Sequence, residues 1–224
     1  MKERNLGNAG QGENSSSQNV KNFILKIIRR GAKSGKAEVL LSDGSSFFVT
    51  RGIVFKYQLE PGMVLEEKQV QNLKNKTDFI LAKRKSLEFL AVREYTVYQL
   101  KQKLLLKEFP SDIIENVLQE LQEEDSVSNE RFAERWIHYR IMKHPEGSGM
   151  LLSGLLKAGI PSSEAAKLLN LNIANIDFDE VLNSAAEKIM RNSNITKEKL
   201  FRRLKARGFD LVPVIKFIEN HYDK

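Results

Sequence analysis

The protein is a chain of 224 residues, 41% hydrophobic and 29% charged, with enough apolar material for a packed core and too much charge for a membrane bundle. Its 36 basic and 29 acidic residues leave a net charge of +7, which favours a polyanionic partner or an acidic protein surface. Cysteine is absent, which excludes disulfides, thiolate metal sites and a cysteine nucleophile. No stretch approaches the roughly 20 apolar residues that span a bilayer, and residues 1–19 hold no apolar signal region, so a cytoplasmic location is expected.

Residues 1–19 are rich in Gly, Asn, Ser and Gln and read as a disordered tail, because such a segment cannot offset its ordering entropy by burial. Residues 20–76 read as a small β-rich module. An apolar run over residues 20–28 and a second over residues 37–41 are strand candidates. Asp43-Gly44 is a turn signal, and Phe47 to Thr50 follows it, which predicts a β-hairpin. Pro61-Gly62 marks another turn.

From about Thr77 the texture becomes helical and repetitive. Leu100 and Leu104 align with Leu151 and Leu155 and with Leu200 and Leu204, while Phe109 aligns with Ile160 and Phe209. Helical stretches over residues 79–92, 130–142 and 179–191 precede these segments. The pattern predicts tandem three-helix repeats over residues 77–126, 127–176 and 177–224, in which each unit packs mainly on its neighbours. The fold class is therefore mainly α, an elongated curved array behind a β-rich lead-in. Gly159 and Gly208 stand where a left-handed residue ends the second helix of its repeat. Glu108 occupies that place in the first repeat, which predicts a different helix end there.

The chain offers no catalytic constellation, and neither a cofactor, a metal nor a small-molecule substrate is expected. His138, His144 and His221 lack metal-ligand spacing. Gly31 to Lys36 has three residues between its glycines and Ala37 after the lysine, so it reads as a basic hairpin turn and not a phosphate loop. The acidic residues Glu115, Glu120, Glu123, Glu124, Asp125, Glu130 and Glu134 read as solvated helix faces, not as a metal-holding nuclease site. Phe132, Trp136 and Tyr139 have the spacing of a packed stripe, and we read them as core in preference to a base-stacking platform.

Two basic stretches stand out as binding candidates. Arg29, Arg30, Lys33 and Lys36, with Lys21 and Lys26, contain no intervening acid. Lys199, Arg202, Arg203, Lys205 and Arg207 accompany the Leu200/Leu204 stripe, with only Glu198 opposing. Since the leucines face inward, the first four cations are expected outside, where they neutralise phosphates or meet an acidic groove. Arg93, Lys101, Lys103 and Arg140 complete the candidate set.

The order of motifs resembles the RecX family, regulators of the RecA recombinase. The residues that carry the likeness are Ala91 to Leu100 with Lys103-Leu104, then Asn129-Glu-Arg131-Phe132-Ala133 with Arg140, then Leu155 and Lys157 to Ile160. It covers about residues 20–224. Asn129 stands where the family usually has Asp, Glu108 replaces a glycine, and Pro145 precedes Gly147. The resemblance implies a non-enzymatic modulator, an inhibitor that lies in the groove of the RecA–DNA filament and thereby regulates recombination, DNA repair and the SOS response. RecA is the implied partner, with single- or double-stranded DNA beside it and no membrane. The alternative reading is a protein that binds DNA or RNA directly without RecA.

Overall fold

In a computed structural model, residues 21–31, 35–191 and 195–222 are described, so the expected tail over residues 1–19 and Lys33 lie outside the described residues. The chain divides into two compact units, one ending at Thr77 and the other beginning at Asp78.

The first unit is a four-stranded antiparallel sheet with strand order β3-β2-β1-β4. Its strands are β1 (Asn22–Arg30), β2 (Lys36–Leu41), β3 (Ser46–Thr50) and β4 (Val64–Leu65). The β2–β3 hairpin turns at Asp43-Gly44, as the dipeptide predicts. The Asp43 carboxylate accepts from the Ser45 amide at 2.9 Å, and Gly44 takes φ +86°. β1 and β2 pair antiparallel from Ile24↔Leu41 to Arg30↔Lys36, and residues 32–34 of the expected turn between them lie outside the described residues. Alternation places Ile24, Val39, Leu41, Phe47 and Val49 on the buried face. A short helix, α1 (Arg51–Lys56), caps this face with Ile53, and the Thr50 hydroxyl accepts from the Ile53 amide.

Helix α2 (Glu67–Leu90) begins well before the expected change of texture at Thr77. Its first turns bury only Val70 and Leu73 among polar residues, too sparse a stripe to announce a helix. Val70 and Leu73 belong to the sheet's core, whereas Ala82 belongs to the first helical core of the second unit.

The second unit holds three successive cores. The first is formed by α2 with α3 (Val97–Leu105) and α4 (Ser111–Glu123), around Leu100, Leu104, Ile114 and Leu121. The second joins α5 (Asn129–Lys143), α6 (Ser148–Lys157) and α7 (Ser162–Ile173), around Ile137, Leu151 and Leu155. The third joins α8 (Phe178–Met190), α9 (Lys197–Ala206) and α10 (Leu211–Tyr222), around Leu200, Leu204 and Val214. All six repeat leucines, from Leu100 to Leu204, are fully buried. Phe132 is core as expected, Trp136 is half-buried against Gly154, and Tyr139 is exposed.

The repeats meet through the ends of their middle helices. The amides of Gly147 and Gly149, at the start of α6, donate to the carbonyls of Arg207 (2.9 Å) and Gly208 (3.3 Å), at the end of α9. One level on, the Thr96 hydroxyl at the start of α3 donates to the Ala158 carbonyl at the end of α6, at 2.7 Å. The first joint pairs orphan backbone groups of two helix termini, the second gives an orphan carbonyl a side-chain donor, and both set opposite dipole ends together.

These joints explain the departures noted in the sequence. Glu108 does not end its helix differently. It adopts φ +60°, and its neighbour's amide reaches back to Leu104, as that of Ile160 reaches Leu155. What differs is its surroundings: a side chain on Gly159 would collide with Tyr98, and one on Gly208 with Met150, whereas Glu108 is exposed. Asn129 accepts from the Val97 amide at 3.1 Å and donates to both carboxylate oxygens of Glu164, at 3.2 and 3.3 Å. An aspartate accepts equally well from Val97 but cannot donate to Glu164.

Two outcomes follow. Gly147 has φ −77°, a value alanine accepts, yet an added Cβ would lie 2.2 Å from the Gly208 carbonyl oxygen. Gly147→Ala therefore reports on the joint alone and should cost about 1–3 kcal/mol in denaturant unfolding, with faster exchange of the Gly149 amide. Unchanged stability and exchange would refute the joint. Asn129→Asp should destabilise the protein by about 1–2 kcal/mol at pH 7.5 through carboxylate repulsion. One member of such a pair has a raised pKa, so the penalty should shrink as the pH falls towards 5, which melting curves across that range will test.

Candidate interaction surface

Helix α9 starts at Thr196, whose hydroxyl accepts from the Lys199 amide, and stops at Gly208 with φ +80°. Between them Leu200 and Leu204 point inward with no exposure. At 3.6 residues per turn this leaves Lys199, Arg202 and Arg203 on the outer side, and all three are exposed. None of them forms an ion pair with another described residue. Within the helix only Glu198 opposes them. Its own backbone amide and the Thr196 hydroxyl hold its carboxyl below the usual range, so it stays ionised at neutral pH.

The other cations expected beside them are engaged. Lys205 is half-buried, contrary to the expected exposure, because its ammonium donates to the Phe209 carbonyl at 2.8 Å and helps close the helix end. Arg207 is also half-buried and donates to the Pro145 carbonyl at 3.4 Å, which gives Pro145 a place in the joint between the second and third repeats.

Of the remaining candidates, Arg29, Arg30 and Lys36 belong to the first unit and Arg93, Lys101, Lys103 and Arg140 to the second. Arg29 is exposed at the end of β1. Its neighbour Arg30 pairs with Glu38, whose carboxyl the guanidinium lowers in pKa. Lys36 lies half-buried in β2. Arg93 stacks 3.7 Å from the Tyr95 ring centroid, and Lys103 lies 5.7 Å from that of Phe89. Lys101 pairs with Glu115 at 3.1 Å. Arg140 donates to both carboxylate oxygens of buried Glu146 and so braces the turn into α6.

The acidic cluster is likewise divided among partners. Glu120 and Glu124 both hold Lys83, at 2.6 and 2.7 Å, and raise its pKa. Asp125 pairs with Arg131, which also reaches Glu94. Among the described residues no group of three His, Asp or Glu is placed to hold a metal ion, and no helix is long and apolar enough to cross a membrane.

One feature beside α9 escaped the sequence reading. Leu211, Val212 and Ile215 of α10 are exposed large apolar residues. The repeat alignment carried the signal, since the same places hold Ser111, Asp112 and Glu115 in the first repeat.

The family model for RecX, first three-helix domain, matches residues 82–121, the span of the first helical core. A regulatory protein RecX from Clostridium acetobutylicum is 29% identical over 172 residues, covering 76% of this chain and 79% of its own length. Another from Streptococcus sanguinis is 22% identical over 191 residues, covering 83% of this chain and 72% of its own. A crystal structure of regulatory protein RecX shares the fold with a TM-score of 0.65 and 21% identity, over 89% of this chain and all of that one. The crystal structure of RecX from Lactobacillus salivarius has a TM-score of 0.56 and 20% identity over 65% of this chain and 97% of that one. The helical domain, the relatives along most of the chain and the shared fold agree: over most of its length the chain is similar to the regulatory proteins RecX.

Proposed function

We propose that this protein is a non-enzymatic regulator of the RecA recombinase that binds the RecA–DNA filament and inhibits it, acting in the cytoplasm on recombination, DNA repair and the SOS response. The observation that carries this reading is the outer face of α9, where Lys199, Arg202 and Arg203 are exposed and form no ion pair with another described residue. Elsewhere in the second unit the candidate cations Lys101 and Arg140 are tied to carboxylates, and Arg93 and Lys103 lie over the rings of Tyr95 and Phe89. Net charge alone does not require such a division. An uncompensated cationic face on a rigid helix steers towards phosphates or an acidic protein groove, and a filament of protein and DNA offers both. The relatives are named regulatory proteins, which supports a role exerted by binding and not by turnover.

The test is RecA-dependent ATP hydrolysis on single-stranded DNA, titrated with this protein. Arg202→Glu with Arg203→Glu should leave the circular dichroism spectrum unchanged, since exposed sites usually shift stability by less than about 0.5 kcal/mol. The double variant should need about tenfold more protein for equal inhibition, because two unfavourable charges replace two favourable ones. Coincident curves for a folded variant would remove α9 from the contact. A wild-type chain that fails to inhibit its cognate RecA would refute the functional reading itself.

A further inference from the structure

The joint at Gly147 and the joint at Thr96 differ in more than their helix caps. At the Gly147 joint the apolar packing runs on from one repeat to the next. Ile141 of α5 and Phe178 of α8 each pack against both the second core and the third. The hydrogen bonds across this joint all end on backbone carbonyls. Besides the Gly147 and Gly149 amides, the Arg207 guanidinium donates to the Pro145 carbonyl at 3.4 Å. The Lys188 ammonium of α8 donates to the carbonyls of Met142 and Lys143 at 3.5 and 3.4 Å, where α5 ends. Carbonyls carry no net charge, so salt weakens such contacts little. Side chains packed into two cores at once resist deformation.

At the Thr96 joint, no described residue packs against both the first core and the second. The first repeat reaches the second chiefly through residues 94–98. The Tyr98 ring lies over Gly159 but is half-exposed. The Thr96 hydroxyl and the Val97 amide donate one hydrogen bond each. Glu94 supplies the charge. Its carboxylate accepts from Arg131 Nε at 2.9 Å and lies 3.3 Å from Arg135. These arginines stand one turn apart on the same face of α5. Asp125, which precedes α5, holds Arg131 at 3.0 Å. The Glu94 side chain is 18% exposed, but that of Arg135 is 68% exposed and that of Asp125 80%, so water and ions reach the cluster. Glu94 also lies in the connection between α2 and α3, and hinges are commonly a few connecting residues of this kind.

We infer that this connection is a hinge between the first repeat and a rigid body formed by the second and third, and that Glu94 is the clasp that holds the hinge closed. Removing its charge, or screening it with salt, lets the first repeat swing while the other two move together. The role of Glu94 is positional, and it does not depend on which partner the array meets.

The absence of cysteine makes the test direct. Asn116, Lys167 and Lys216 are exposed on α4, α7 and α10, each two residues after the equivalent buried positions Ile114, Ala165 and Val214. Nitroxide labels on Asn116→Cys with Lys167→Cys span the Thr96 joint. Labels on Lys167→Cys with Lys216→Cys span the Gly147 joint. Distance distributions are measured by double electron–electron resonance at low and high sodium chloride, with Glu94 intact and with Glu94→Gln. Raising the salt from about 0.1 M to 1 M shortens the Debye length from about 10 Å to 3 Å. The distribution across the Thr96 joint should broaden by about half or more at high salt, and to a similar extent at low salt in Glu94→Gln. The distribution across the Gly147 joint should change by less than about a tenth in either case. Equal broadening across both joints overturns the rigid pair of repeats. A Thr96 joint that stays narrow under both treatments overturns the hinge. Broadening by salt that a folded Glu94→Gln chain does not reproduce overturns the clasp. The salt series needs no substitution at the joint, so it decides the hinge even if Glu94→Gln loses its helical circular dichroism.

Discussion

At the joint between the second and third repeats, two helix termini satisfy each other's unpaired backbone groups. Gly147 and Gly149 offer amides that α6 cannot use, and Arg207 and Gly208 offer carbonyls that α9 cannot use. The exchange demands that two backbones come within hydrogen-bonding distance. That is why glycine stands on both sides: a Cβ on Gly147 or on Gly208 would lie 2.2 or 2.3 Å from the opposing chain. Unlike Thr96 and Thr196, Gly147 provides no side-chain cap for its helix, because the neighbouring repeat's backbone does so instead.

The same constraint accounts for residues that otherwise look like exceptions. A left-handed residue ends all three middle helices, at Glu108, Gly159 and Gly208. Glycine is needed at the latter two because the preceding repeat packs against them, through Tyr98 and Met150. Glu108 meets only the conformational demand, so a side chain is tolerated at the cost of backbone strain of about 1–2 kcal/mol. Thr96, Asn129 and Glu164 form the other joint with side chains instead of glycines, so the two junctions use different chemistry to the same end.

Once the joints are set, the surface of the third repeat is set with them. Arg207 and Lys205 are drawn to carbonyls, which leaves Lys199, Arg202 and Arg203 as the outward cations of α9. The groove that α9 forms with α10 is lined by Phe201, Ile215 and Ile218, and Leu211 and Val212 are exposed on the same helix. The groove's charged lining is mixed, Lys197 with Glu198 and Glu219, and Lys199, Arg202 and Arg203 are not part of it.

The sequence by itself determined the hairpin at Asp43-Gly44, the inward leucine pairs and the left-handed ends at Gly159 and Gly208, because each follows from local backbone preference or helical period. It also placed the first helical core, whose Leu100 and Leu104 stripe is legible at a glance. It did not reveal that α2 starts at Glu67, since Val70 and Leu73 are too sparse a signal, nor that Glu108 would adopt the glycine conformation. Only the tertiary structure decided which cations are available. Lys83 is claimed by Glu120 and Glu124, Lys101 by Glu115 and Arg140 by Glu146. Such pairings depend on which residues folding brings within a few ångströms, and linear order carries little of that information. Lys199, Arg202 and Arg203 remain uncommitted for the same reason: no described carboxylate is brought to them.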